Sequence, residues 1–339
     1  MPRKSRWGTK LILLFVLLSL PILYAYQSLQ QFANTPIVIQ QQSVMLTVEN
    51  GDGLNKVLPK LRAIGVSTGY DWQWKVLAVQ MDMASKIHVG DYEINSTISP
   101  AQLLEKFAIG DTARVKFTVI EGWNFKQLMT QLHLQTELKD DLSGKSSDEI
   151  MIMLGKPGVH PEGRFLPDTY IVPRTGLQSQ ILQMAADAMD KALAETWQMR
   201  EQNLPLQSAE QLLILASIVE KETGQAFERP QIAGVFIRRL QLNMRLQTDP
   251  TVIYGMGEKY QGNIRKKDLQ SDTAYNTYTR SGLPPTPIAM PGQAALTASA
   301  HPATGDELYF VAKGNGEHFF SATYKEHQLA VKQFQLNKK

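Results

Sequence analysis

The chain has 339 residues, with 35 Lys and Arg against 32 Asp and Glu, and no cysteine. A net charge of +3 gives no basis for a nucleic-acid partner, and the missing thiols exclude disulfides, thiolate metal sites, a cysteine nucleophile and acylation at a cysteine. The length allows two or three domains and a substantial core.

The first ten residues carry Arg3, Lys4, Arg6 and Lys10, and Leu11 to Tyr26 is almost wholly apolar. That run is short against the roughly 20 residues of a bilayer span. Its exit through Leu23-Tyr24-Ala25-Tyr26 lacks the small residues of a signal-peptide cleavage site. Trp7, Tyr24 and Tyr26 bracket it as interfacial aromatics do. The reading is a cytoplasmic basic segment over 1–10, an uncleaved transmembrane anchor over 11–26 and a Gln-rich tether over 27–42. By the positive-inside rule the rest of the chain lies outside the cytoplasmic membrane.

Val44 to Val48 alternates as a strand, Asn50-Gly51-Asp52-Gly53 makes a turn, and Leu54 to Ile64 has helical spacing interrupted by Pro59. A second helix is predicted over Trp72 to Met83 and a returning strand over Gly90 to Ile94. Strand, helix, helix, strand resembles a LysM-like module, here assigned to 43–114; no side chain identifies a sugar groove, and a plain packing domain fits equally. Ser99-Pro100 starts a helix through Phe107. Lys116 to Ile120 predicts a strand, and Phe125 to Leu132 a helix after Glu121-Gly122, echoing the strand, Gly turn and helix that begin at Val44.

Glu162-Gly163-Arg164-Phe165-Leu166-Pro167-Asp168-Thr169-Tyr170 interleaves turn residues, aromatics and carboxylates, which suits either a rigid packing loop or the lining of a sugar cleft. A helix over Leu177 to Met199 leads to the central stretch, SAEQLLILASIVEKETG, at Ser208 to Gly224. Ser208 and Gln211 predict a capping box, and Gly224 a left-handed C-terminal stop. Leu212 to Val219 is too continuously apolar for a surface helix. Glu220 extends the stripe of Leu213 and Ala216, so its carboxyl leaves an apolar wall, which disfavours its charge and suits a general acid. The pattern alone equally describes solvated charge near a helix end.

Arg229-Pro230 opens an amphipathic helix whose apolar face is core. Asp249-Pro250 starts another, and the proline-rich run Gly282 to Gly292 stiffens a loop before a helix over Ala294 to Ala300. Leu308 to Ala312 and His318 to Ser321 form a hairpin, closed by a helix from Thr323 to Gln335. His88, His133, His160, His301, His318 and His327 are scattered without a metal-ligand spacing, and each is read as structural or exposed.

ASIVEKET, RLQTDPTVIYGMG, TAYNTYT, GLPPTPIAMPG and SAHP, in this order, with EGRFLPDTY before them, resemble the YceG-like (MltG) family of membrane-anchored endolytic murein transglycosylases. The resemblance assigns 115–339 as the catalytic domain. It implies an α+β protein with an N-terminal transmembrane helix, a small LysM-like mixed module and a mainly helical catalytic domain with a β portion. The implied activity is cleavage of the β-1,4 bond between N-acetylmuramic acid and N-acetylglucosamine within nascent peptidoglycan, leaving 1,6-anhydro ends and ending strand elongation. It needs no cofactor or metal, and its implied partners are glycan strands, the bacterial inner membrane and peptidoglycan synthases. The resemblance places the acid on Glu220, with Glu162, Glu222, Gln247, Asp249, Tyr275 and Asn276 as substrate-binding residues. One carboxyl is chemically sufficient, because the sugar's own C6 hydroxyl replaces water. A water-using muramidase with Asp249 or Glu162 as second carboxylate, and a non-catalytic glycan-binding scaffold, are the competing readings.

Overall fold

The computed structural model describes residues 7–336; within the first helix, the side chains before Phe15 and those of Val16 and Leu18 lie outside this description. The predicted basic segment therefore lies mostly outside the described residues. Helix α1, Trp7–Asn34, contains the apolar run. Among the described residues no helix is long and apolar enough to cross a membrane, so the span expected over 11–26 is not supported there. The expected tether is corrected. Gln27 to Asn34 continues α1, and Leu29, Phe32, Ala33 and Ile37 are buried in a core. Three of these recur at helical spacing among glutamines, a stripe narrow enough to be hidden by the polar residues around it.

The described chain forms two compact units, one running up to Val115 with Pro173–Thr175, the other Lys116–Val172 with Gly176 onward. In the first, β1 (Ser43–Val48) precedes α2 (Leu54–Ala63) and α3 (Asp71–Gln80), and β2 (Gly90–Asn95) returns antiparallel to β1 before α4 (Pro100–Ile109). Val44 pairs with Ile94 and Leu46 with Tyr92. Alternation along the pleat puts Leu46, Val48, Tyr92 and Ile94 on one buried face, against Trp74, Leu103 and Phe107. Ser99 caps α4 by accepting the Gln102 N–H at 3.3 Å, and Gln102 accepts the Ser99 N–H at 3.0 Å.

The second unit is mainly helical, with two two-stranded sheets among its described residues. In order come β3 (Arg114–Thr118), α5 (Phe125–His133), α6 (Ser147–Met153) and β4 (Thr169–Pro173), which pairs with β3. Then follow α7 (Gln178–Met199), α8 (Ala209–Glu222), α9 (Arg229–Gln241), α10 (Asp249–Met256), α11 (Lys266–Gln270) and α12 (Gln293–Ala300). The hairpin β5 (Tyr309–Ala312) and β6 (His318–Ser321) and helix α13 (Tyr324–Val331) close the chain.

Helix α8 is the axis of this unit. Every residue from Leu212 to Val219 is buried, and α8 packs against α7, α9, α10 and α12. Each fully buried Leu or Ile contributes about 1.5–3 kcal/mol. Ser208 accepts the Gln211 N–H at 3.3 Å, but Gln211 Oε1 takes the Gln207 N–H at 2.8 Å, so the predicted reciprocal box is made only on one side. The helix ends at Thr223 in extended backbone, not at a left-handed glycine. This straightens the chain into the turn that carries Glu228.

Candidate active site

Three successive residues at the C-terminal end of α8 enter three different surroundings, since each residue turns the helix by about 100°. Glu220 turns towards α9 and the proline-rich loop. Its side chain is 5% exposed. Oε2 accepts the Gly292 N–H at 3.0 Å, and Oε1 lies 3.4 Å from Arg229 Nη2. The same guanidinium lies 3.5 Å from Glu121 Oε2. Glu121 sits directly over Gly292: a Cβ there would meet its Oε1 at 2.0 Å and displace that carboxylate. Burial raises the pKa of Glu220, opposed by the Gly292 N–H and reinforced by the Glu121 charge.

Lys221 donates to Gly122 O at 3.1 Å and lines a cleft of about 850 Å³ with Glu162, Tyr254 and Tyr275. Glu162 is 3% exposed. Its carboxyl accepts the Phe125 N–H and the Tyr254 hydroxyl, each at 3.0 Å. Burial nevertheless pushes its pKa up to about 7. Tyr275 packs edge-on against Tyr254, centroids 4.9 Å apart, and its hydroxyl hydrogen-bonds Thr286 at 2.8 Å.

Glu222 opens onto a second, polar cavity of about 400 Å³, whose lining includes Arg239, Gln247, Thr248, Asp249, Tyr278 and His318. Thr248 Oγ1 donates to Glu222 Oε1. Burial pushes Glu222 up to about 7, with the Thr248 bond and the His318 ring acting against it. Tyr278 donates to Asp249 Oδ1 at 2.6 Å. Gln247 is held in the left-handed region, φ +51°, with its N–H bonded to Thr277 O at 3.2 Å. A non-glycine residue in that region costs on the order of 1 kcal/mol, a strain that recurs at ligand sites.

The sequence-predicted residues therefore divide. Glu222, Gln247 and Asp249 share the polar cavity, Glu162 and Tyr275 share the larger cleft, and Glu220 belongs with Arg229 and Glu121. Asn276 lines neither: it is 1% exposed. Its amide donates to the carbonyls of Asp268, Leu269 and Ser271 and accepts the Tyr278 N–H at 2.9 Å. It shapes the loop that brings Tyr278 to Asp249. Sequence reasoning missed Glu121, Arg229, Thr248, Tyr278, Glu228 and His318. Glu121-Gly122, immediately after a strand, was the one local signal for the first.

The loop carrying Gly292 is tied to α8 by Ser217, whose hydroxyl donates to Ile214 O at 2.7 Å and accepts the Ile288 N–H at 3.0 Å, both buried. Ser217→Ala orphans that N–H. The expected loss is about 1–3 kcal/mol of stability by denaturant unfolding.

The sequence model of the YceG-like family matches residues 46–333. A Bacillus subtilis (strain 168) protein named endolytic murein transglycosylase is 34% identical over 270 residues, 74% of each chain. One of the same name from Streptococcus pneumoniae serotype 2 is 30% identical over 280 residues, covering 72% of this chain and 50% of that one. The crystal structure of a YceG-like protein from Listeria monocytogenes superposes with a TM-score of 0.54 at 27% identity, covering 85% of this chain and 98% of that one. With the match spanning both compact units, the chain belongs to the YceG-like family.

Proposed function

We propose that this chain is an endolytic murein transglycosylase. It cuts the β-1,4 bond between N-acetylmuramic acid and N-acetylglucosamine inside nascent, uncrosslinked glycan strands. Family membership and the names of its relatives support the activity. The observation that carries the chemistry is Glu222: a carboxyl held near neutral pKa on the wall of a polar cavity.

The acid is assigned to Glu222 rather than to Glu220. A general acid must be protonated near working pH and must reach the leaving oxygen. Burial raises Glu220 as well, but a guanidinium and a backbone N–H occupy both its oxygens, so neither is free to meet a leaving group. Glu222 has only a hydroxyl donor, on a single oxygen, and opens to a cavity. Its proton passes to the glycosidic oxygen as the C1–O bond breaks, and the muramyl C6 hydroxyl closes on C1. Asp249, oriented by the Tyr278 hydroxyl, faces the positive charge that develops at C1.

The apolar start of α1 is assigned to hold the chain at the bacterial inner membrane, its basic end cytoplasmic and its catalytic unit outside, beside the synthases that extend the strand. Cleavage is assigned to ending strand growth. Asp249 in the same cavity as Glu222 favours a second reading, hydrolysis by two carboxylates. Mass spectrometry of uncrosslinked strands digested by the full-length chain separates the two. Products lighter than hydrolysis products by one water support the transglycosylase, and hydrated reducing ends overturn it.

A further inference from the structure

The short turn Ala226–Glu228 after α8 delivers Glu228, 2% exposed, to the first residue of β6. Its Oε1 accepts the His318 backbone N–H at 2.7 Å, and its Oε2 lies 2.8 Å from His318 Nδ1 while accepting the Thr223 hydroxyl at 3.2 Å. A buried carboxylate at Nδ1 places the imidazole proton there, because the alternative tautomer would set two lone pairs against each other. Nε2 is then left as an acceptor. The ring stands edge-on to Phe310, centroids 5.4 Å apart, and it lines the cavity that holds Glu222 and Asp249. A carboxylate that fixes the tautomer of an imidazole and stabilises its protonated form is the arrangement by which a histidine becomes a directed proton acceptor.

We propose that His318, oriented by Glu228, takes the proton of the muramyl C6 hydroxyl as that oxygen attacks C1. The inference rests on the reading of Glu222 as the acid. The Glu222 O–H bond breaks and its proton moves to the glycosidic oxygen, which leaves C1 with the bonding pair. The C6 oxygen forms the new bond to C1 while its proton passes to His318 Nε2. The imidazolium then releases that proton to solvent and Glu222 takes one back, so no proton is consumed overall. The division relieves Glu222 of serving two oxygens, the leaving group and the C6 hydroxyl, from one position. The charged side chains about the ring are Glu228 after α8, in direct contact with Nδ1, and Glu222 on α8, Asp249 on α10 and Arg239 on α9, which line the same cavity.

The test compares His318→Gln, Glu228→Gln and Glu222→Gln of the full-length chain on uncrosslinked glycan strands across pH 5–9. His318→Gln is expected to lower kcat about 10²-fold with KM within about twofold, within the range for general base removal, and to erase the acid limb of the kcat–pH profile. Glu228→Gln is expected to lower kcat about tenfold with KM within about twofold, since the ring loses the carboxylate that orients it. Wild-type kcat and an intact acid limb in His318→Gln, beside an inactive Glu222→Gln, overturn this inference alone. Full activity in Glu222→Gln overturns the acid assignment and this inference with it. Imidazole ¹⁵N NMR of the unmutated protein is independent of how any variant folds: the neutral His318 ring is expected to carry its proton on Nδ1, and a proton on Nε2 overturns the proposal.

Discussion

Glu222→Gln is expected to lower turnover of uncrosslinked glycan strands by about 10³-fold or more, and Glu220→Gln to retain at least a tenth of wild-type turnover. The amide keeps the size of Glu222 and can still accept from Thr248, so the cavity stays intact while the transferable proton is lost. General acid catalysis is worth roughly 10²–10⁴-fold, and the upper part of that range applies where the leaving group is a poorly stabilised alkoxide. At Glu220 the substitution removes a buried partner of Arg229, which still has Glu121 within 3.5 Å. That loss falls on stability and loop placement rather than on the proton. Because Glu222 must be protonated, turnover also falls as pH rises through about 7. Steady-state rates by chromatography of released fragments check all three statements, and equal losses in the two variants count against the assignment to Glu222.

The second large effect concerns stability. Glu162, ordinarily near 4.5, is raised to about 7 by burial. A group raised in the folded state binds more protons there than in the unfolded chain between those two values. The stability it brings is fully present below about 4.5 and is lost as pH rises through about 7. The shift is worth roughly 3 kcal/mol at 1.36 kcal/mol per unit. Wild-type unfolding free energy is therefore expected to fall between pH 5 and 8, and Glu162→Gln, which cannot ionise, to remove the Glu162 share of that slope and leave the Glu222 share. The variant gains about 2–3 kcal/mol on the wild type at pH 8 and nothing comparable at pH 4.5. Urea unfolding at the two pH values checks this, and parallel pH dependence in both proteins sinks it.

Much of the secondary structure was legible because its signals are local. Ser99-Pro100 marked the start of α4, the apolar run from Leu212 marked α8 as a core helix, and alternation marked β1. The first segment was misread where the signal was weak: Leu29, Phe32 and Ala33 are a thin stripe diluted by glutamine. The site was legible in membership but not in grouping. Motifs named six of the residues that line one cavity or the other or belong to Glu220's ion-paired cluster, yet nothing in one dimension shows that Glu220 and Glu222, two residues apart, enter different surroundings. That follows from partners far along the chain: Gly292 for the one, Thr248 for the other. Asn276 shows the converse. An amide amid tyrosines and threonines suggested a sugar ligand, but its buried donors satisfy three loop carbonyls instead.

A helix enclosed from Leu212 to Val219 cannot slide or tilt without opening the packing on several sides. The carboxyl at its end is therefore a fixed point in space. On the assignment of the acid to Glu222, each bond to be cut has to be brought to that one spot. Product length would then be set by whatever positions the strand, and not by movement of the carboxyl.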